Sequence, residues 1–171
     1  MSESESKSWP GSERRTRKDR RSGTDRRDEA AWVPVPLDGS AGTEAALVSA
    51  ATQARQHAQA GYSGFKVGAA LELPDGTIVT GCNIENATYG LTICAERVAL
   101  VKALSDGHTS FTRIAVVADT EAPTPPCGPC RQLLWEYCGD IEVILANLHG
   151  PAGRHRLSAL LPLPFDRRLL K

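Results

Sequence analysis

Two short apolar runs, "TRIAVVAD" (112–119) and "IEVILAN" (141–147), constrain the fold of this chain more than anything else in it. Both carry β-branched residues in an uninterrupted apolar stretch, the pattern of strands buried on two faces. One helix-like stretch, "CGPCRQLLWEYC" (127–138), lies between them, and another, "ICAERVALVKALSDG" (93–107), precedes the first. Strands joined through single helices pair in parallel with right-handed crossovers, and helices then cover the sheet. Upstream, "FKVGAALEL" (65–73) and "TIVTGCN" (77–83) flank the turn "PDG" and read as an antiparallel hairpin. "GTEAALVSAATQARQHAQAG" (42–61) has helix composition, with Thr43 its expected N-cap and Gly61 its expected stop. The expected fold class is α/β: a mixed sheet opened by an antiparallel hairpin, with parallel later strands and helices on its faces.

Composition changes near residue 31. Residues 1–30 hold nine Lys/Arg and seven Asp/Glu (9 − 7 = +2) and almost no large apolar side chains. Such a stretch cannot offset its own ordering entropy. Residues 1–40 are therefore expected to be a disordered charged tail and linker, and residues 41–171 a single folded domain. The doublets Arg14-Arg15, Arg20-Arg21 and Arg26-Arg27 offer contacts to RNA or a membrane surface, though the interspersed acids weaken any phosphate contact and a solvated tail is the expected reading. The whole chain has formal net charge zero, so no global basic excess points to nucleic acid. It has no run of about 18 apolar residues and no apolar core in its N-terminal segment. A soluble, cytoplasmic protein is expected.

The chain has five cysteines, an odd number, two of them spaced C-x-x-C in "PCGPC". That pattern fits metal or redox chemistry in a reducing compartment better than a disulfide framework. Cys127 and Cys130 are three apart at a helix start, so both face the same way. Cys94 opens the preceding helix. In a parallel sheet both helix starts lie on one edge, where positive helix ends favour thiolates. Three converging thiolates with a fourth position open match a catalytic zinc site. Alternatives are a thioredoxin-like redox pair and a closed four-cysteine structural site using Cys82 or Cys138. None of the four histidines has zinc-finger spacing to these cysteines.

A zinc-bound water gives Glu96, two residues past Cys94, a purpose: one mobile carboxylate can take a proton from it and pass it to a departing nitrogen. Arg97 answers a charge problem. Zn²⁺ with three thiolates sums to −1, and a guanidinium against the sulfurs offsets that excess. Read on pattern alone, Glu96 is a helix-start acid and Arg97 a solvated side chain.

"CAER" (94–97) and "PCGPCRQ" (126–132) resemble the cytidine deaminase family in its small homotetrameric form, whose known zinc chemistry uses a three-cysteine site and a Glu acid/base. The resemblance runs from about Leu47 to Phe165. It implies a three-layer α/β/α fold on a five-stranded sheet, one Zn²⁺ per subunit held by Cys94, Cys127 and Cys130, and Glu96 as the catalytic carboxylate. "GYSGFKVGAAL" and "GCNIENATYG" resemble the family's substrate-binding segments. They imply that Phe65 packs on the pyrimidine, that Asn83 and Glu85 bond the ribose hydroxyls, and that the N–H of Ala95 reads the base carbonyl. Arg97 matches the family's arginine beside the zinc cysteines. "LLPLPF" resembles the C-terminal segment whose aromatic, here Phe165, covers a neighbouring subunit's site. Gly61 stands where many relatives have proline, and Pro129 where alanine is common. The implied reaction is hydrolytic deamination of cytidine and 2′-deoxycytidine in pyrimidine salvage. Other readings are a deaminase of a modified nucleoside or aminonucleoside antibiotic, and a zinc-stabilised RNA-binding module.

Overall fold

A computed structural model describes residues 41–149 and 153–170. The tail and linker expected over residues 1–40 lie outside the described residues. The elements in chain order are α1 (Ala41–Arg55), β1 (Val67–Glu72), β2 (Ile78–Cys82), α2 (Ala95–Ser105), β3 (Arg113–Ala118), α3 (Gly128–Cys138), β4 (Glu142–Asn147), β5 (Gly153–Arg156) and the short α4 (Leu157–Leu160). Single 3-10 turns occur at Tyr89–Leu91 and Arg167–Leu169. No helix among the described residues is long and apolar enough to cross a membrane.

The five strands form one sheet in the order β2-β1-β3-β4-β5. β1 pairs antiparallel with β2 and with β3, and β3 pairs parallel with β4. The side-chain period of two then sorts the strands between two cores. Val67, Ala69, Leu71, Ile114, Val116, Val143 and Leu145 pack with α2 and α3 through Ala95, Ala99, Leu100 and Leu134. The alternate residues Ala70, Ala115, Val117, Ile144 and Ala146 pack under α1 against Leu47 and Ala51. The result is the expected three-layer α/β/α arrangement.

Two glycines set how close the helices come. A Cβ at Gly68 would stand 2.0 Å from the Ala51 carbonyl of α1, and one at Gly81 would stand 2.4 Å from the Ala99 nitrogen of α2. Only a bare backbone admits those approaches. Gly81 therefore fixes the seat of the helix that begins beside Cys94.

The structure corrects two expectations. Thr43 is not an N-cap, because α1 is already helical from Ala41; the ion pair between buried Glu44 and Arg154 of β5 holds that first turn. Gly61 does not stop α1, which ends at Arg55. The backbone beyond is recruited elsewhere: Gln59 N–H bonds Asn83 O at 2.9 Å, and Glu85 N–H bonds Gln59 O at 2.8 Å. The strand β5 was not located from the sequence; it pairs antiparallel with β4, His155 opposite Val143. Four polar or small residues, "GRHR", carry no strand pattern, and the pairing with β4 supplies it.

Candidate metal centre and substrate pocket

Because β1 opposes both β2 and β3, β2 and β3 run in the same direction. α2 follows β2 and α3 follows β3, so both helices begin at the same sheet edge. The chain reaches α2 through residues 83–94, closed by reciprocal backbone bonds between Ile84 and Ile93, both 2.9 Å. Cys94 is the residue before α2 and Cys127 the residue before α3. Neither thiol caps its own helix, which leaves both to turn toward each other. Cys130 follows in the first turn of α3 and is fully buried. Pro129 sits at the helix start, where its missing N–H costs nothing.

The three sulfurs converge. Cys94 Sγ lies 3.8 Å from Cys127 Sγ, which lies 3.4 Å from Cys130 Sγ, and all three fall within 4.8 Å of one another. Sulfurs around a tetrahedral zinc at ~2.3 Å stand about 3.8 Å apart, so the donor set fits that ion. Among the described residues, no other cluster of three His, Cys, Asp or Glu side chains has metal-binding spacing. Cys82 ends β2 and Cys138 ends α3, and neither joins the group. The closed four-cysteine site is thereby set aside. Burial pushes the Cys138 thiol up to about 12.

Charge in the cluster is uneven. Hydrogen bonds from Cys130, Arg97 and Cys127 hold the Cys94 thiol down at about 5, while the bond to Cys94 and burial push Cys130 upward. One thiolate thus forms at the expense of its neighbour, and a dication removes that conflict by stabilising all three. Arg97 is half-buried beside them. Its Nη2 donates to Thr92 O at 2.8 Å and to Cys94 Sγ at 3.6 Å. The guanidinium is therefore fixed against sulfur rather than solvated.

Glu96 occupies the first turn of α2 and is only 4% exposed. Burial, then the charge of Cys94, pushes its carboxyl up to about 7. A helix-start glutamate serving the macrodipole would sit in solvent. This one is enclosed, and its raised carboxyl suits an acid/base group.

Cys94, Cys127 and Glu96 line an open pocket of about 150 Å³. Phe65, Asn83 and Ala95 line it too. Phe65 is 41% exposed and forms part of the wall. Asn83 is 7% exposed; its Oδ1 accepts from Val67 N–H and its Nδ2 donates to Phe65 O, both at 2.8 Å. One amide N–H and one lone pair are left over. Ala95 is the first residue of α2, so its N–H has no carbonyl one turn back.

Glu85 and Phe165 are not among the pocket-lining residues. Glu85 Oε2 accepts from the N–H of Tyr62 at 2.8 Å and of Ser63 at 3.1 Å, and Oε1 accepts from Ser63 Oγ. Those bonds hold its carboxyl below the usual range and brace the loop leading to Phe65. Phe165 is 58% exposed. Thr92, Val67, Val116, Thr124 and Pro125 also line the pocket, and sequence reasoning did not single them out. The available signal for the last two was position: "TEAPTPP" follows the carboxyl end of β3, where α/β sheets carry their ligands.

A three-thiolate zinc centre with an enclosed carboxyl beside it, on the sheet edge of a three-layer α/β fold, defines a zinc-dependent hydrolytic enzyme. The family model "Cytidine and deoxycytidylate deaminase zinc-binding region" matches residues 42–146, and the chain belongs to that family. A cytidine deaminase of Halalkalibacterium halodurans is 53% identical over 120 residues, 70% of this chain and 91% of that one. The crystal structure of cytidine deaminase from Burkholderia pseudomallei superposes with a TM-score of 0.69 at 48% identity, covering 71% of this chain and 98% of that one. A blasticidin-S deaminase of Bacillus cereus is 30% identical over 109 residues, 59% of this chain and 77% of that one.

Proposed function

We propose that this chain catalyses zinc-dependent hydrolysis of cytidine and 2′-deoxycytidine to uridine and 2′-deoxyuridine with release of ammonia. The observation that carries the proposal is the enclosed Glu96 carboxyl in one pocket with Cys94 and Cys127. Cys94, Cys127 and Cys130 would hold a zinc ion, which when bound would supply the Lewis acidity that makes a water reactive near neutral pH. Glu96 takes a proton from that attacking water and delivers it to N3 of the pyrimidine as C4 becomes tetrahedral. It then carries the second water proton to the C4 amine, which leaves as ammonia while the C4 carbonyl forms. Arg97 lowers the negative charge on the sulfurs. The N–H of Ala95 bonds the base carbonyl, and Phe65 packs on the ring. Asn83, through its spare amide N–H, and Glu85 bind the ribose hydroxyls.

Residues 41–171 act as the catalytic domain, and Phe165 covers the pocket of a neighbouring chain in a homotetramer. The exposure of Phe165, Tyr62, Tyr89 and Leu91 supports a surface covered by other copies. A light-scattering mass of one chain refutes the tetramer. The role is cytoplasmic pyrimidine salvage. The likeness to a blasticidin-S deaminase favours one second reading, an aminonucleoside antibiotic as substrate; a higher kcat/KM on blasticidin S than on cytidine would establish it. An RNA-binding module has no use for an enclosed carboxyl, and its arginine doublets lie outside the described residues.

Glu96→Gln tests the chemistry. Full zinc occupancy with ammonia release down by at least about 10²-fold is expected. Retained turnover contradicts the proposal.

A further inference from the structure

The helix that supplies two of the three sulfurs also grips the C-terminal segment. Arg131, next to Cys130, donates from Nε to Pro126 O at 2.6 Å and from Nη1 to Leu160 O at 2.7 Å. One residue on, Gln132 Nε2 donates to Phe165 O at 2.6 Å. One turn further, Trp135 Nε1 reaches Asp166 Oδ2 at 3.4 Å. Asp166 is 8% exposed, and its carboxylate also accepts from the backbone N–H of Arg168 at 2.9 Å and from its guanidinium. Between the Leu160 and Phe165 contacts the chain bends through Leu163, a non-glycine residue at φ 52°. A side chain in that left-handed region persists only where its surroundings over-determine the backbone. These hydrogen bonds from α3 fall on backbone carbonyls or on Asp166.

We infer that Gln132, Trp135 and Asp166 are positioning residues that hold the Phe165 backbone so that its ring projects from this chain at a fixed place. The inference rests on the proposal that Phe165 covers a neighbouring pocket, and it adds what aims the ring. A flexible terminal arm pays conformational entropy each time it closes on a substrate, and a latched one has lost that freedom beforehand. The latch stands on α3, so one helix orders both its own chain's cysteines and the cover offered to another chain.

The test uses Phe165→Ala, Gln132→Ala, Asp166→Asn and the double variant Phe165→Ala/Asp166→Asn, each with KM and kcat for cytidine, zinc content and light-scattering mass. Phe165→Ala is expected to raise KM roughly tenfold. Gln132→Ala and Asp166→Asn should raise KM by a similar factor at unchanged zinc content and mass. The double variant should be no worse than Phe165→Ala alone, because the latch acts through the ring. A merely structural role for Asp166 predicts additive losses and a fall in zinc content, and overturns the inference. KM unchanged in both latch variants but raised in Phe165→Ala overturns the latch and leaves the cover intact. KM unchanged in Phe165→Ala removes the cover itself, and the latch falls with it. Should Asp166→Asn not fold, Gln132→Ala and its double with Phe165→Ala give the same comparison.

Discussion

The floor of the pocket and its rim are held by different means. At the floor, Cys94, Glu96, Cys127 and Cys130 belong to the starts of two helices seated on a buried sheet. Their positions follow from strand direction and from the bare backbone of Gly81. At the rim, Phe65 stands on irregular chain, its N–H bonded to Ser63 Oγ in a loop that Glu85 holds; Phe165, outside the pocket lining, stands on a C-terminal segment tied to Gln132. The floor is complete within one chain, whereas the rim is exposed. Changes at the floor should abolish turnover, and changes at the rim should weaken substrate binding and spare the metal.

The largest effect belongs to Cys130→Ser. Zinc content should fall to near zero with turnover lost, measured by metal analysis and ammonia release; a zinc-replete variant would place the ligand elsewhere. Next is Arg97→Gln, which strips the guanidinium from the sulfurs. Turnover should drop roughly 10–100-fold, as when other partners of metal ligands are removed, with KM little changed. A rise in KM alone would move Arg97 from the floor to the rim. Glu85→Gln should act the other way. It loosens the 61–64 loop that Glu85 ties down and should raise KM about tenfold at full zinc content.

The smallest effect probes the fold beneath both regions. Glu72 receives Arg113 Nε at 2.6 Å and Thr112 Oγ1 at 2.7 Å, and the Arg113 bond leads in holding its carboxyl below the usual range of 4.5. A depressed carboxylate stabilises the folded state above its unfolded value and loses that contribution as pH falls below about 4.5. Urea unfolding at pH 7 should therefore be costlier in wild type than in Glu72→Gln by about 1–3 kcal/mol, with the gap narrowing toward pH 3. A gap that widens on acidification would reverse the assignment.

Most of the floor was legible in the sequence. Cys94, Cys127 and Cys130 sit at helix starts that apolar periodicity and spacing reveal, and the motif around Glu96 is local. The two runs "TRIAVVAD" and "IEVILAN" became β3 and β4 for the same reason. What escaped was set at long range. β5 is a strand because β4 pairs with it, and the chain past α1's end at Arg55 is bonded through residue 59 to residues 83 and 85. The wall at Thr124 and Pro125 belongs to a loop that Asn147 Nδ2 anchors through Thr120 O and Glu121 O. No local pattern records such contacts.

Anomalous diffraction at the zinc edge, on crystals grown with zinc, settles whether the floor is what it has been taken to be. One peak per chain is expected, about 2.3 Å from the sulfurs of Cys94, Cys127 and Cys130, with solvent in the fourth position. A fourth protein side chain on the metal, or no peak between those sulfurs, contradicts it.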